Sequence, residues 1–254
     1  MSLATPSTPV VITGGASGIG LASAEALAEI GRPVALWDID GAKAANAAQA
    51  ITARFGTPAT GIAIDLRDLG AIEPALAATR KAIGAPGGLV HAAGIVDTDS
   101  LDGMTAESWD SGIAIHLRAL AFITQAIRAD LAACSGSAIV AIASINATLG
   151  NAVNPIYSAA KGGILSLVRS LADRLAMDGI RINSVSPGQI MTPMMQPSVD
   201  ALPDGYFEKR ILLGRLGEAG EVGRVVRFLL SDEASYITAS EIVVDGGNIS
   251  SQRG

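Results

Sequence analysis

The sequence predicts an α/β fold: one doubly wound domain with a mainly parallel sheet of about seven strands and helices on both faces. Three observations carry this. Short β-rich apolar runs alternate with longer amphipathic stretches almost to the end of the chain. The runs lack polar alternation, as strands buried on both faces do. No linker, repeat or low-complexity break divides the 254 residues, a length ample for one large core.

In order, Pro9 to Thr13 reads as a strand and Ile19 to Ile30 as a helix ending at Gly31, followed by a second strand from Pro33 to Trp37. Ala42 to Arg54 is helical, Ala59 to Ile64 a strand, Leu69 to Ile83 a helix and Gly88 to Ala92 the fourth strand. Two helical stretches, Thr105 to Ile115 and His116 to Cys134, lead to a strand over Ser137 to Ala143. A helix from Ile156 to Met177 and strands at Ile180 to Val185 and Glu241 to Val244 complete a Rossmann-type pattern. The least regular stretch, 187–213, is rich in Pro and Met, and a loop that long in a compact domain is expected to be a functional lid.

Composition excludes several classes. The single Cys134 forms neither an internal disulfide nor a thiolate metal site, and no metal is expected. The N-terminus, Met1 to Pro6, lacks the basic-then-apolar pattern of a secretion signal, so a cytoplasmic protein is expected. Mean hydropathy is high at +0.41, yet the long run near Ile113 to Ala133 is broken by His116, Arg118, Arg128 and Asp130, so no membrane span is expected. A net charge of −6 without a Lys/Arg cluster argues against nucleic acid as a partner.

The first strand runs into Thr13-Gly14-Gly15-Ala16-Ser17-Gly18-Ile19-Gly20 and then a helix. Glycines there let the backbone approach a pyrophosphate, and the helix start offers free N–H groups and the positive end of its dipole. The spacing is G-x-x-x-G-x-G rather than G-x-G-x-x-G, and an ordinary turn would use the same residues; the place between strand and helix favours a dinucleotide. Asp38, at the end of the second strand, suits the two adenosine ribose hydroxyls and would repel a 2′-phosphate. No Lys or Arg stands at Gly15, Ala16 or Ile39 to offset that, so NAD is expected over NADP. Capping the helix that starts near Gly41 is the plainer role for Asp38, and the two are compatible.

Ser144 follows the fifth strand, Tyr157 comes thirteen residues later and Lys161 one helical turn beyond. A nearby ammonium is expected to pull the phenol pKa down and make Tyr157 a general acid/base. Ser144 is placed to hydrogen-bond the oxygen on which charge develops. Singly, each of the three reads as an ordinary surface or core residue; with the glycine loop they form a set at the carboxyl ends of the strands, where doubly wound sheets bind ligands.

These residues resemble the short-chain dehydrogenase/reductase family over essentially the whole chain. The match comprises Thr13 to Gly20, Asp38, Asp65-Leu66, the Ser144/Tyr157/Lys161 set, Arg181-Ile182-Asn183, Ser186-Pro187-Gly188 through Thr192, and Val244-Asp245-Gly246-Gly247. The resemblance implies a hydride transfer between a secondary alcohol carbon and a nicotinamide. It implies a cofactor held by Gly14, Ser17, Gly18, Ile19, Gly20, Asp38, Leu66, Ala93, Gly94 and Gly188, with Asp65 on the adenine amine, Lys161 also on the nicotinamide ribose, and Ile190 and Thr192 at the carboxamide end. It further implies a homo-oligomer, commonly a tetramer. Two positions depart from the family: His91-Ala92-Ala93-Gly94 replaces Asn-Asn-Ala-Gly, and His116 replaces a catalytic Asn that acts partly through its backbone carbonyl. His116 is either a packed helix residue or a substitute for that Asn.

Gln189, Met191, Met194 and Met195, with Asn146, Leu149 and Val153 opposite, form the expected substrate wall. Its methionines and the absence of Lys or Arg between Gly188 and Glu208 point to a mainly apolar secondary alcohol or ketone; lid packing or a subunit contact is the competing role. A ketoacyl-thioester reductase, expected to prefer NADPH, and a catalytically weak dinucleotide-binding sensor or scaffold are the alternative functions.

Overall fold

A computed structural model describes residues 6–250, so the opening residues read above for a leader lie outside it except Pro6. Along the chain run β1 (Val10–Thr13), α1 (Gly18–Ala28), β2 (Val34–Asp38), α2 (Gly41–Phe55), β3 (Ala59–Ala63), α3 (Ile72–Ile83), β4 (Gly88–His91), α4 (Ala106–Ile113), α5 (Ala119–Ala132), β5 (Ala138–Ile142), α6 (Asn146–Leu149), α7 (Pro155–Ala176), β6 (Arg181–Pro187), β7 (Ile190–Met191), α8 (Gln196–Ala201), β8 (Gly217–Glu218), α9 (Ala219–Leu229) and β9 (Glu241–Val244). Seven strands form one sheet in the order β3-β2-β1-β4-β5-β6-β9, every pair parallel. The predicted doubly wound sheet is therefore the fold.

Successive strand residues face opposite sides, and each side has its own core. Val11, Trp37, Leu89 and Ile139 meet Leu76, Ile123, Ile127 and Ile164 from α3, α5 and α7. Val10, Ile12, Leu36 and Val140 meet Leu27, Ile51, Val222 and Val226 from α1, α2 and α9. The register sets Thr13 beside Trp37 and His91, and His91 beside Ala141, so the ends of β1, β2, β4 and β5 open along one edge.

Three differences from the sequence reading have physical causes. α4 and α5 are one rod joined by a π-helical turn at Ala114–Arg118, which puts His116 inside the turn rather than at a helix start. The segment 187–213 is not structureless: β7 pairs with β8, α8 follows, and a 3₁₀ turn spans Glu208–Arg210. α9 escaped the sequence reading, although Val222, Val226 and Leu229 are buried at helical spacing and Glu218 and Glu221 form a capping box.

Candidate active site

At the carboxyl edge of the sheet lies a cavity of about 290 Å³. One end is the glycine loop. Gly14 has φ +64°, and a Cβ there would lie 2.8 Å from the Ala93 backbone; one on Gly20 would lie 2.1 Å from the Gly14 carbonyl oxygen. The loop is thus pressed against the end of β4 and into its own turn, leaving an open cradle at the start of α1. Gly14, Ser17, Gly18, Ile19 and Gly20 line it. α1 has no acidic residue in its first turn and no side-chain cap, so its dipole end is free to meet an anion.

Asp38 lines the same end. Its Oδ2 accepts the Ala16 N–H at 3.0 Å and its Oδ1 the Asp40 N–H at 3.1 Å, which fixes the carboxylate between the loop and β2. The side chain that caps α2 is Asp40, through the Lys43 N–H, so the simple capping role considered for Asp38 belongs to its neighbour. Asp65, Leu66, Ala93 and Gly94 also line the cavity. The Arg67 guanidinium binds both Asp65 oxygens, at 3.1 and 2.6 Å to Oδ2, and holds that carboxyl below its ordinary pKa. The donors, acceptors and cleared backbone fit a dinucleotide. Among the described residues no group of three or more His, Cys, Asp or Glu is arranged to hold a metal.

The other end of the cavity carries Tyr157, Lys161 and His116. Tyr157 and Lys161 project from one face of α7, and Ser144, just beyond β5, stands near enough to the phenol to act on its pKa. The buried Lys161 donates from Nζ to the Ile142 carbonyl at 2.6 Å, with Nζ 5.4 Å from the centre of the Tyr157 ring. Here the expected lowering of the phenol pKa is corrected. Burial pushes the phenol up, with Ser144 acting against it, and burial alone pushes Lys161 down to about 7. Lys161 turns its Nζ to a backbone carbonyl, and desolvation sets the direction of both shifts.

Both histidines are buried here. The Nε2–H of His116 donates to the Ile95 carbonyl at 2.7 Å, and its ring meets Tyr157 edge-on at 5.4 Å between centroids. His91 shares Nε2 between the carbonyls of Ile115 at 3.2 Å and His116 at 3.1 Å, while its Nδ1 takes the Thr13 hydroxyl at 2.9 Å. The carbonyl at position 116 is therefore already engaged by His91. Burial, then the Lys161 charge, lowers both imidazoles, His91 to about 4, so both are neutral at pH 7.

The expected substrate wall is only partly brought together. Thr192 and Met194 line the cavity. Gln189 instead accepts from Asn248 at 2.6 Å, and Ile190 is buried in the core beneath the sheet. Gly188 donates to the Val244 carbonyl, and a Cβ on it would meet Asp245 at 2.7 Å. Met191 is exposed, Met195 half-buried, and Asn146 bonds through its N–H to Ser144 Oγ at 3.2 Å. Ile115, Ile142 and Pro193, which sequence reasoning did not single out, complete the wall; the first two read only as helix and strand interior, and the third as part of the irregular segment 187–213.

A family model described as "Enoyl-(Acyl carrier protein) reductase" matches residues 14–248. The probable galactose dehydrogenase GalD of Rhizobium meliloti is 34% identical over 244 residues, covering 94% of this chain and 93% of that one. The 3-oxoacyl-(acyl-carrier-protein) reductase FabG of Escherichia coli is 35% identical over 237 residues, covering 93% and 95%. L-sorbose reductase from Gluconobacter frateurii, solved with NADPH and L-sorbose, superposes with a TM-score of 0.92 at 27% identity over 99% of this chain and 100% of that one.

Proposed function

This chain belongs to the short-chain dehydrogenase/reductase family, and from that premise we propose that it is an NAD-dependent oxidoreductase interconverting a mainly apolar secondary alcohol and its ketone. The observation that carries the reading is Tyr157 with the Lys161 Nζ 5.4 Å from its ring centre, at one end of a cavity whose other end is the glycine cradle and Asp38. A bound nicotinamide dinucleotide supplies the two-electron donor or acceptor that side chains lack. Ser144 and Tyr157 take the substrate oxygen between them. Tyr157 gives that oxygen its proton in reduction and removes it in oxidation.

NAD is favoured over NADP because Asp38 brings a carboxylate to the adenosine end and Ile39 beside it is exposed and uncharged. Ile95, Ile115, Ile142, Pro193 and Met194 make the wall around Tyr157 mostly apolar. The protein is read as a cytoplasmic homo-oligomer, a tetramer or dimer. Among the described residues no helix is long and apolar enough to cross a membrane.

One assay tests the reading: turnover with NAD and with NADP on a panel of cyclic, aromatic and aliphatic secondary alcohols, sugars, and a ketoacyl thioester. The expected result is preference for NAD and the apolar alcohols, with Tyr157→Phe abolishing turnover while still binding NADH. A Tyr157→Phe protein within a few-fold of wild type refutes the proton role. Preference for sugars or the thioester refutes the substrate class, and preference for NADP refutes the role given to Asp38.

A further inference from the structure

Between β4 and α4 the chain passes the mouth of the site, and two residues there, Ile95 and Asp97, grip two different elements. Ile95 holds His116: its carbonyl accepts from Nε2 at 2.7 Å, and its own N–H lies 3.1 Å from the same nitrogen. Asp97, two residues on, holds the start of α7. Its Oδ1 accepts the N–H of Tyr157 at 2.9 Å, and its Oδ2 accepts the N–H of Ile156 at 3.2 Å. Its carbonyl accepts the side-chain amide of Asn154.

The first amides of a helix have no intrahelical carbonyl, and the residue just before the helix ordinarily supplies an acceptor. Asn154 stands at that place, but its side chain makes no capping bond and is turned to the Asp97 backbone instead. Pro155 has no N–H to satisfy. The N–H of Ser158 goes to the Asn154 carbonyl at 3.0 Å. The two amides left over, those of Ile156 and Tyr157, both end on Asp97. The cap of the catalytic helix is thus delivered from a loop 60 residues earlier in the chain.

We propose that Asp97 is a positioning residue for Tyr157: it fixes the backbone that carries the phenol and, through Ile95 two residues before it, sets Tyr157 in register with His116. The edge-on contact of those two rings at 5.4 Å is what the shared strap maintains. Asp97 does not line the dinucleotide cavity; it lines a second one of about 420 Å³ on the far side of Ile95, His116 and Tyr157. Its loss should therefore reach the proton-exchanging group without reaching the cofactor.

The proposal rests on Tyr157 being the proton-exchanging group, so the test has one readout that needs no substrate. Asp97→Ala and Asp97→Asn are compared with wild type in the full chain by steady-state kinetics on the best alcohol of the panel and by amide hydrogen exchange across residues 154–158. Asp97→Ala should lower kcat by about 10- to 100-fold, as a misplacement of ~1 Å does. The KM for NAD should stay within about threefold, and the Ile156 and Tyr157 amides should exchange faster. Asp97→Asn, which keeps an oxygen for the Tyr157 N–H, should recover most of the kcat and slow the exchange again. The proposal is overturned if Asp97→Ala keeps kcat within about twofold, if kcat and cofactor KM deteriorate together with no recovery in Asp97→Asn, or if exchange at the two amides is unchanged. A wild-type protein inactive on the whole panel would sink the oxidoreductase reading instead, and the exchange result would still decide whether Asp97 holds the Tyr157 amide.

Discussion

Gly94→Ala offers a sharp test of how the site is packed. Gly94 does not have a positive φ, so the substitution imposes no backbone strain. The obstacle is the His116 ring: a Cβ on Gly94 would lie 2.3 Å from its Cε1 and 3.0 Å from its Nδ1. Ordinary carbon contacts begin near ~3.5 Å, so the ring must retreat by roughly 1 Å. It has little freedom to do so, held by the Ile95 carbonyl at 2.7 Å and standing edge-on against Tyr157. Overpacking of this kind costs about 1–3 kcal/mol, which for a domain of this size is ~2–12 °C in Tm at about 2–4 °C per kcal/mol. Turnover should fall by up to ~100-fold, because the retreat is directed at Tyr157. The assay is thermal unfolding and kcat/KM for Gly94→Ala, His116→Ala and the double variant. Deleting the ring makes room for the methyl, so the double variant should be more stable than the two single losses summed, by about 1–3 kcal/mol. A Gly94→Ala protein that melts with wild type and turns over normally, or strictly additive losses, would refute the placement of the ring.

Two further outcomes follow from buried groups. Lys161 carries a pKa of about 7 in the folded chain against ~10.4 when unfolded. Over that interval the unfolded state binds the extra proton, so stability rises with pH from about 7 toward 10. Urea unfolding at several pH values across this window should show that rise in wild type and a flatter dependence in Lys161→Met; parallel curves would contradict it. His91→Leu removes the donor shared by the Ile115 and His116 carbonyls and the acceptor for the Thr13 hydroxyl. Leaving buried polar groups unpaired costs ~1–3 kcal/mol, so Tm should drop by several degrees and amides of the π-turn should exchange faster, while an unchanged melting curve would show that the turn does not depend on His91.

How far the sequence reached differs between elements. The strand runs were legible because both faces are buried, and the doubly wound class followed from their alternation with helices, while the strand order β3-β2-β1-β4-β5-β6-β9 came from the structure. α9 did not stand out although it carries a capping box and buried apolar residues at helical spacing, because it is only 11 residues long and holds Gly220 and Gly223, which weaken the local helical pattern. The residues named in the segment after β6 fared unevenly: of the expected substrate contacts Met194 reaches the cavity and Gln189 is turned to Asn248, and of the expected carboxamide contacts Thr192 reaches it and Ile190 is turned into the core. Side-chain direction in an irregular segment depends on partners far along the chain, and no local pattern encodes it.

By itself the sequence determined the doubly wound sheet, the glycine turn between β1 and α1, and the shared helical face of Tyr157 and Lys161, since these rest on periodicity and on spacings within one turn or one helix. Tertiary structure alone decided what surrounds them. It buried Tyr157 and Lys161 so that desolvation raised the phenol pKa where a lowering was expected, and lowered that of Lys161. It also wound a π-turn that brings His91 onto the His116 backbone, and laid the loop after β4 across the start of α7 so that Asp97 caps the catalytic helix. The physical reason is the same in each case. Burial and long-range hydrogen bonds depend on which segments meet in space, and the partners here stand 19 to 60 residues apart.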